Sequence, residues 1–520
     1  MTTIKRTGSP AAPAVSAPKT ETSAAPSKAA STAPAAATGW KPKTSATAPH
    51  LAPTTAPAAL AMAGHGPFLI TAGAVQLARA SGDPAAQALL LHGLAKDRSG
   101  VLLHNDATRI ERAHQLFDGM SVQQADAVRA AYIHKYGMDP EHHIKSDDLG
   151  QPLARLPREV ETELLGALNG PQLKADAKTL DGLLKKAQAG QPLTRADRTE
   201  YFNLLPRQGL WDQPVRQGPT TGNLDAQERT LLAREFGAQS GGANLDAALK
   251  QIEAALPPAD LTPKGPREKN IAAIASSHGA QWQELMGWAQ KMTDAGYHVQ
   301  IFTPEGRPVA VQRDSLAVST HTSGFGAPPD LDPHGRTGVI AKELLGNAAP
   351  AAKFNPKDFG AVYLAGGLGF NEDVAVAMPQ GRETKLTANP NIEQMMNGAI
   401  AERLPVIGLC HGPTLLAALS IDVNGQKEPL NKGIETASLP PFEGYVGLTG
   451  RKEIQFTYDV NTHRALEASG GETHVLKDIA NMSRVVKQRR DGMDIITGPG
   501  PQAAANLADA TVEALHRKWD

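Results

Sequence analysis

The chain has 520 residues, with 52 Lys and Arg against 53 Asp and Glu, and a single cysteine. That near-neutral balance gives no electrostatic case for nucleic acid or an anionic membrane as a partner, and one cysteine excludes an intramolecular disulfide and any cysteine-rich metal site. The length fits about three units, and no run of about 18 apolar residues is present, so no integral membrane segment is expected.

Residues 1–62 are low-complexity Ala, Pro, Ser and Thr with a few Lys. Little apolar surface is available there to offset ordering entropy, so the composition predicts a disordered tail. Its start, Met-Thr-Thr-Ile-Lys-Arg, lacks the apolar stretch of a Sec signal peptide. The expected location is the cytoplasm. The alternative is export by an injection-type route, because injected bacterial effectors often carry Ser/Ala/Pro-rich leaders.

Residues 63–256 predict an all-α domain. Asp106 to Met120 places Ile110, Ala113, Leu116 and Phe117 on one face, and Ser121 with Gln124 forms a capping box for a helix to Tyr136. Pro157 to Leu168, Ala175 to Ala187, Thr194 to Leu205, Asp225 to Phe236 and Asn244 to Leu256 continue the helical spacing. The pair His142-His143 reads as a solvated turn beside Pro140 and Glu141 rather than a ligand pair. Residues 106–168 resemble one annexin-type repeat. The glycine-rich calcium loop of that family is replaced by His104-Asn105-Asp106, so neither calcium nor lipid binding carries over.

Residues 257–267 are a proline-rich linker, and from 268 to 520 the pattern changes to alternating strands and helices. Strands are predicted at Ile271 to Ala275, Tyr297 to Thr303, Ala361 to Ala365, Val406 to Leu409 and Met493 to Thr497. Helices are predicted at Trp282 to Ala295, Asn391 to Arg403, Thr414 to Leu419 and Ala503 to Trp519. Strands separated by helices imply a parallel α/β sheet covered on both faces, with ligands bound beyond the strands' carboxyl ends.

The cysteine falls at such an end. Leu404-Pro-Val-Ile-Gly-Leu-Cys410-His411-Gly412-Pro413 reads as a buried strand, a tight turn and a helix start. A thiol at that elbow is expected to be exposed, and the free N–H groups of the turn favour its thiolate and a developing oxyanion. His411 supplies a base if its ring turns back toward the sulfur.

Four segments in order, "QWQELMGWAQKMTDAGYHVQIFTPEG", "DFGAVYLAGGLGFNEDV", "LPVIGLCHGPTLLAAL" and "DGMDIITGPGPQAAANLADATVEAL", resemble the DJ-1/PfpI superfamily and its Hsp31-like branch of chaperones and glutathione-independent glyoxalases. The resemblance covers about half the chain. It implies a flavodoxin-like parallel sheet, of the kind also found in class I glutamine amidotransferases. It further implies Cys410 as nucleophile, His411 as its base and Glu284 as a proton carrier. Gly366, Gly367 and the His411 amide are the implied oxyanion donors. A homodimer is implied, and a small aldehyde or acyl compound as substrate.

Two positions depart from the family's pattern. Leu368 stands where relatives often carry His. In the slot for the acid that orients the histidine, Pro441 falls where some relatives have Asp, and Glu443 is the nearest carboxylate. His411 is therefore oriented by Glu443 or by nothing. The metal-ligand pattern of some members is missing, so neither metal nor cofactor is expected. The resemblance implies conversion of methylglyoxal-like 2-oxoaldehydes to 2-hydroxyacids, a lyase of the glyoxalase III or D-lactate dehydratase type. The alternatives are another cysteine hydrolase such as a peptidase or amidase, a non-catalytic holdase chaperone, and a secreted effector. Glutamine amidotransferases place a His-x-Glu pair late in the chain, and neither His463 nor His474 fits that pattern.

Overall fold

The computed structural model describes residues 70–96, 106–136, 140, 158–208, 226–311, 336–367, 369–380, 383–440 and 462–519. The predicted tail, His142-His143, Leu368, Pro441 and Glu443 lie outside the described residues.

The first half is helical. The helices are α1 (Ala72–Ser81), α2 (Pro84–Lys96), α3 (Asp106–Phe117), α4 (Val122–Tyr136), α5 (Arg158–Gln188), α6 (Arg195–Gln208), α7 (Ala226–Ser240) and α8 (Leu245–Ala255). Caps set several starts. Ser121 and Gln124 exchange hydrogen bonds of 3.2 and 2.8 Å ahead of α4, and Thr194 and Asp197 do the same ahead of α6. Asn244 caps α8 through the amide of Ala247.

Two expected helices, Pro157 to Leu168 and Ala175 to Ala187, are one. Helix α5 runs through Gly170 and Pro171 without ending. Proline usually breaks a helix because it lacks an N–H and crowds the preceding turn. Here Leu164, Leu168, Leu173, Ala177, Leu180 and Leu184 are buried on both sides of the proline. That burial outweighs the local cost, since tertiary packing overrides propensity.

The second half is built on a sheet whose strands are β1 (Asn270–Ile274), β2 (His298–Thr303), β3 (Ala349–Pro350), β4 (Ala361–Leu364), β5 (Val406–Leu409), β6 (Val486–Arg490) and β7 (Met493–Gly498). Their spatial order is β6-β7-β5-β4-β1-β2-β3. All neighbours are parallel except β6, which joins β7 as an antiparallel edge. The helices of five or more residues in this half are α9 (Trp282–Asp294), α10 (Arg336–Gly346), α11 (Pro390–Ala401), α12 (Thr414–Ala418), α13 (Thr462–Ala468), α14 (Val475–Ala480) and α15 (Ala504–Trp519). This is the expected flavodoxin-like α/β class.

Side-chain alternation divides the core. Ile271, Ala273, Tyr363, Ile407 and Ile496 face one way, joining Trp288 of α9 and Leu507 of α15. Ala272, Ile274, Val362, Val406 and Ile495 face the other, joining Ile392 and Met396 of α11 and Leu415 of α12. A period of two along strands buried on both faces gives this result. The first of these clusters continues without a break into the buried leucines of α1 to α8.

Helix α6 packs on α10 at the junction. Arg198 is buried there and donates to the carbonyls of Ala348 (2.7 Å) and Pro257 (3.2 Å), with its guanidinium 3.9 Å from the centre of the Phe202 ring. Burial lowers its pKa to about 10. A Cβ at Gly346 would lie 2.8 Å from the Thr199 Cα, so only glycine allows this approach.

Candidate active site

Strand β5 brings Cys410 to the carboxyl edge of the sheet, where the chain turns sharply. Cys410 takes φ of +59°, a left-handed conformation that L-residues avoid. Three contacts hold it: its amide donates to Gly498 O (3.0 Å), the Gly412 amide donates to Leu409 O (2.7 Å), and the Leu439 amide donates to Cys410 O (3.1 Å). Gly412 is required at this turn, because a Cβ there would strike the Leu364 carbonyl. Strain retained at such a turn points to a functional group.

The thiol is not exposed as expected. Cys410 is 5% accessible. The elbow does present it at the edge of the sheet, but α9 and the turns after β1 and β4 close over it. The His411 ring turns back, with Nδ1 3.4 Å from Sγ. The amides of His411 and Gly367 both point at the sulfur. Gly367 takes φ of +121°, and a Cβ there would lie 2.6 Å from the Gln281 amide nitrogen. Gly366 contributes space: a Cβ on it would collide with the Glu284 carboxyl and lie 2.7 Å from the Cys410 Cβ.

Glu284 occupies the first turn of α9, where the Gln281 side chain accepts from its amide at 2.9 Å. Tyr363 of β4 donates its hydroxyl to the Glu284 carbonyl (2.8 Å), and its ring stacks on Trp288 at 3.9 Å. Helix α9 is thereby fixed against the sheet, with the Glu284 carboxyl directed at the elbow. Glu284 is fully buried, and neither carboxyl oxygen has a partner of good hydrogen-bond geometry. Burial pushes its pKa up to about 8, opposed only by the Cys410 thiol. At neutral pH this acid is therefore protonated.

Burial raises the Cys410 thiol as well, and a charged Glu284 raises it further, while the His411 and Gly367 amides lower it. The two groups titrate as a pair. Once Glu284 holds the proton its charge is gone, and its O–H becomes a donor for sulfur. The neutral acid therefore favours the thiolate that the charged acid would oppose.

Sequence reasoning missed two other buried clusters at this edge. After β1, His278 Nδ1 lies 3.1 Å from Glu372 Oε2, and the Ser277 amide donates to Asp373 at 2.7 Å. Burial pushes Asp373 up to about 6. Behind the elbow, His463 and Asp478 meet at 3.5 Å, and Arg484 reaches Asp478 at 2.5 Å. No motif spacing marks either cluster, because distant segments assemble each. Among the described residues, no group of three or more His, Cys, Asp or Glu is arranged to hold a metal.

Fold and site together define a class: a mostly parallel α/β sheet with a buried Cys–His–Glu cluster at a strand-to-helix elbow. No family model matches the chain, and no curated protein matches it. Solved structures do. The Francisella tularensis Rapid Encystment Protein 24 kDa is 21% identical, with 48% of this chain and 99% of that chain covered, at a TM-score of 0.35. Glyoxalase III from Candida albicans is 15% identical, with 48% and 98% covered, at 0.35. A ThiJ/PfpI domain protein from Brachyspira murdochii is 14% identical, with 49% and 99% covered, at 0.28.

Proposed function

We propose that the chain is a cysteine-dependent enzyme acting on small 2-oxoaldehydes of the methylglyoxal type, converting them to 2-hydroxyacids without glutathione. The observation that carries this reading is the pairing of a neutral, buried Glu284 with Cys410. A group of pKa about 8 gives and takes protons readily near neutrality, as transfer between adjacent carbons demands.

In this reading the Cys410 thiolate adds to the aldehyde carbon, forming a C–S bond. The new oxyanion takes N–H bonds from Gly367 and His411 and is then protonated by Glu284, which becomes the carboxylate able to accept the next proton. The C1 proton leaves to Glu284 or His411 and returns at C2, turning the ketone into an alcohol and C1 into a thioester. Water cleaves that thioester, releasing hydroxyacid and thiolate. Electrons balance within the substrate, since C1 is oxidised as C2 is reduced. Hydrolysis of an amide or peptide is the second reading, supported by the 3.4 Å Cys–His contact. The 5% accessibility of Cys410 favours the smaller substrate.

The test is loss of methylglyoxal in the absence of glutathione. Wild type is expected to turn over, Cys410→Ala to be inert, and Glu284→Gln to lose about 10²- to 10⁴-fold in kcat. A wild type as inert as Cys410→Ala sinks the aldehyde reading.

A further inference from the structure

Among the described residues, the amide of Leu439 holds the Cys410 carbonyl (3.1 Å). Leu439 ends a short strap, Ala437–Leu439, whose first two residues are buried and whose third is half-buried, and which has little regular structure of its own. Side chains fix it instead. The Ala437 amide donates to Thr497 Oγ1 of β7 (2.8 Å), and the Ser438 amide donates to Asp478 Oδ2 (3.3 Å). The Ser438 carbonyl accepts from His463 Nε2 (3.3 Å). Asp478 and His463 thus hold both polar groups of one peptide position.

The cluster behind the strap is buried and charged. Asp478 is fully buried and His463 is 2% accessible. Arg484 reaches Asp478 at 2.5 Å and also pairs with Glu435. Glu435 is met in turn by His474 (3.5 Å) and Lys477 (3.6 Å). Glu467 also acts on His463. The His463 tautomer follows from its neighbours. Nε2 faces two acceptors, Ser438 O and Asp478 Oδ2, so it carries the hydrogen. Nδ1 is buried with no partner among the described residues, so it carries none. His463 is therefore neutral, and burial keeps it so.

We propose that Asp478, anchored by Arg484 and assisted by neutral His463, is a positioning residue for the nucleophile. It fixes the Ser438 peptide. The strap then holds the Cys410 carbonyl, and that contact keeps the left-handed elbow with the His411 amide aimed at sulfur. A buried ion pair is costly to form, so its presence behind a strained turn needs a reason beyond stability. Fixing a strained turn through hydrogen bonds to its support is such a reason. The proposal rests on Cys410 being the reactive thiol, and its test is independent of which substrate that thiol serves.

The experiment is the pH profile of Cys410 alkylation by iodoacetamide in the full chain. Cys410 is the only cysteine, so the label reports one site. Asp478→Asn keeps the shape and loses the charge. It is expected to move the midpoint of the profile upward and to slow alkylation about tenfold near neutrality, while circular dichroism stays native. His463→Gln, which keeps a donor for Ser438, is expected to change it less. A natively folded Asp478→Asn with the wild-type profile overturns the proposal.

Should Asp478→Asn fail to fold because Arg484 is left unpaired, the neutral double variant Asp478→Asn/Arg484→Gln takes its place, with the same two outcomes. Should that fail too, native-state hydrogen exchange on wild type decides. Protection of the Leu439 amide equal to that of the sheet is expected, and exchange at the rate of a surface amide overturns the strap. Methylglyoxal turnover measured in parallel separates the two ideas. An inert wild type removes the aldehyde reading and leaves the alkylation comparison standing.

Discussion

At the scale of single residues, Glu284 decides most. Its folded pKa of about 8 stands above the ordinary value of 4.5. Below about pH 4.5 the carboxyl is protonated whether the chain is folded or not. Between that point and about pH 8 the unfolded chain has released a proton that the folded chain keeps. Stability from this group is therefore full at low pH, declines as pH rises through the window and is lost above about pH 8. Glu284→Gln removes that dependence. Thermal melts at about pH 5 and about pH 9 are expected to differ less in the variant than in wild type, with the variant the more stable of the two at the higher pH. Equal pH dependence in both proteins would show that Glu284 ionises freely. Gly366 bears on the same pair, since any Cβ there would displace the carboxyl from the sulfur.

At the scale of elements, the contact of α6 with α10 is the most demanding. Gly346→Val would drive side-chain atoms into the Thr199 backbone, and is expected to cost about 1–3 kcal/mol, read as a lowered urea midpoint at unchanged slope. Gly73 has only the Thr199-free surroundings of α1, with its nearest neighbour the Thr71 hydroxyl at 3.8 Å, so Gly73→Ala serves as the control. The sequence made β1, β2, β4, β5 and β7 legible because each is a short, largely apolar run bounded by turn residues. The elbow was legible because Cys, His, Gly and Pro each leave a local chemical signature.

Other elements were hidden. β3 has two residues and no apolar run. β6, with Lys487, Arg489 and Arg490, has the composition of a solvated loop and is a strand only because β7 pairs with it. Helix α5 was divided at Gly170-Pro171 because the local breaker was visible and the burial that overrides it was not. Within the site, Cys410, His411, Glu284 and Gly367 lie close together. The burial of the thiol and the Asp478–His463 support depend on contacts between distant segments, which spacing along the chain does not encode.

At the scale of the whole molecule, one apolar core joins the helical half to a face of the sheet, and the described residues from 70 to 519 pack as one unit. The two halves are expected to unfold together. Far-ultraviolet circular dichroism, dominated by helix, and the fluorescence of Trp282, Trp288 and Trp519, all in the sheet half, read with Trp40 and Trp211 replaced by Phe, should give coincident denaturation curves. Arg198→Met leaves the Ala348 and Pro257 carbonyls without their donor, and is expected to lower stability by about 1–3 kcal/mol, read as a lowered urea midpoint. Two separated transitions in wild type would mean that the junction is too weak to couple the halves.

The borders of the sheet carry a different consequence. On one side, β6 presents exposed Lys487 and Arg489 along its outer strand. On the other, β3 is two residues long and ends at Pro350, which has no N–H to offer a neighbour. Strand-to-strand recruitment of a second chain meets positive charge at one border and a missing donor at the other. The seven-stranded sheet is thus guarded at both borders against being extended by a second chain through a shared ladder of backbone bonds.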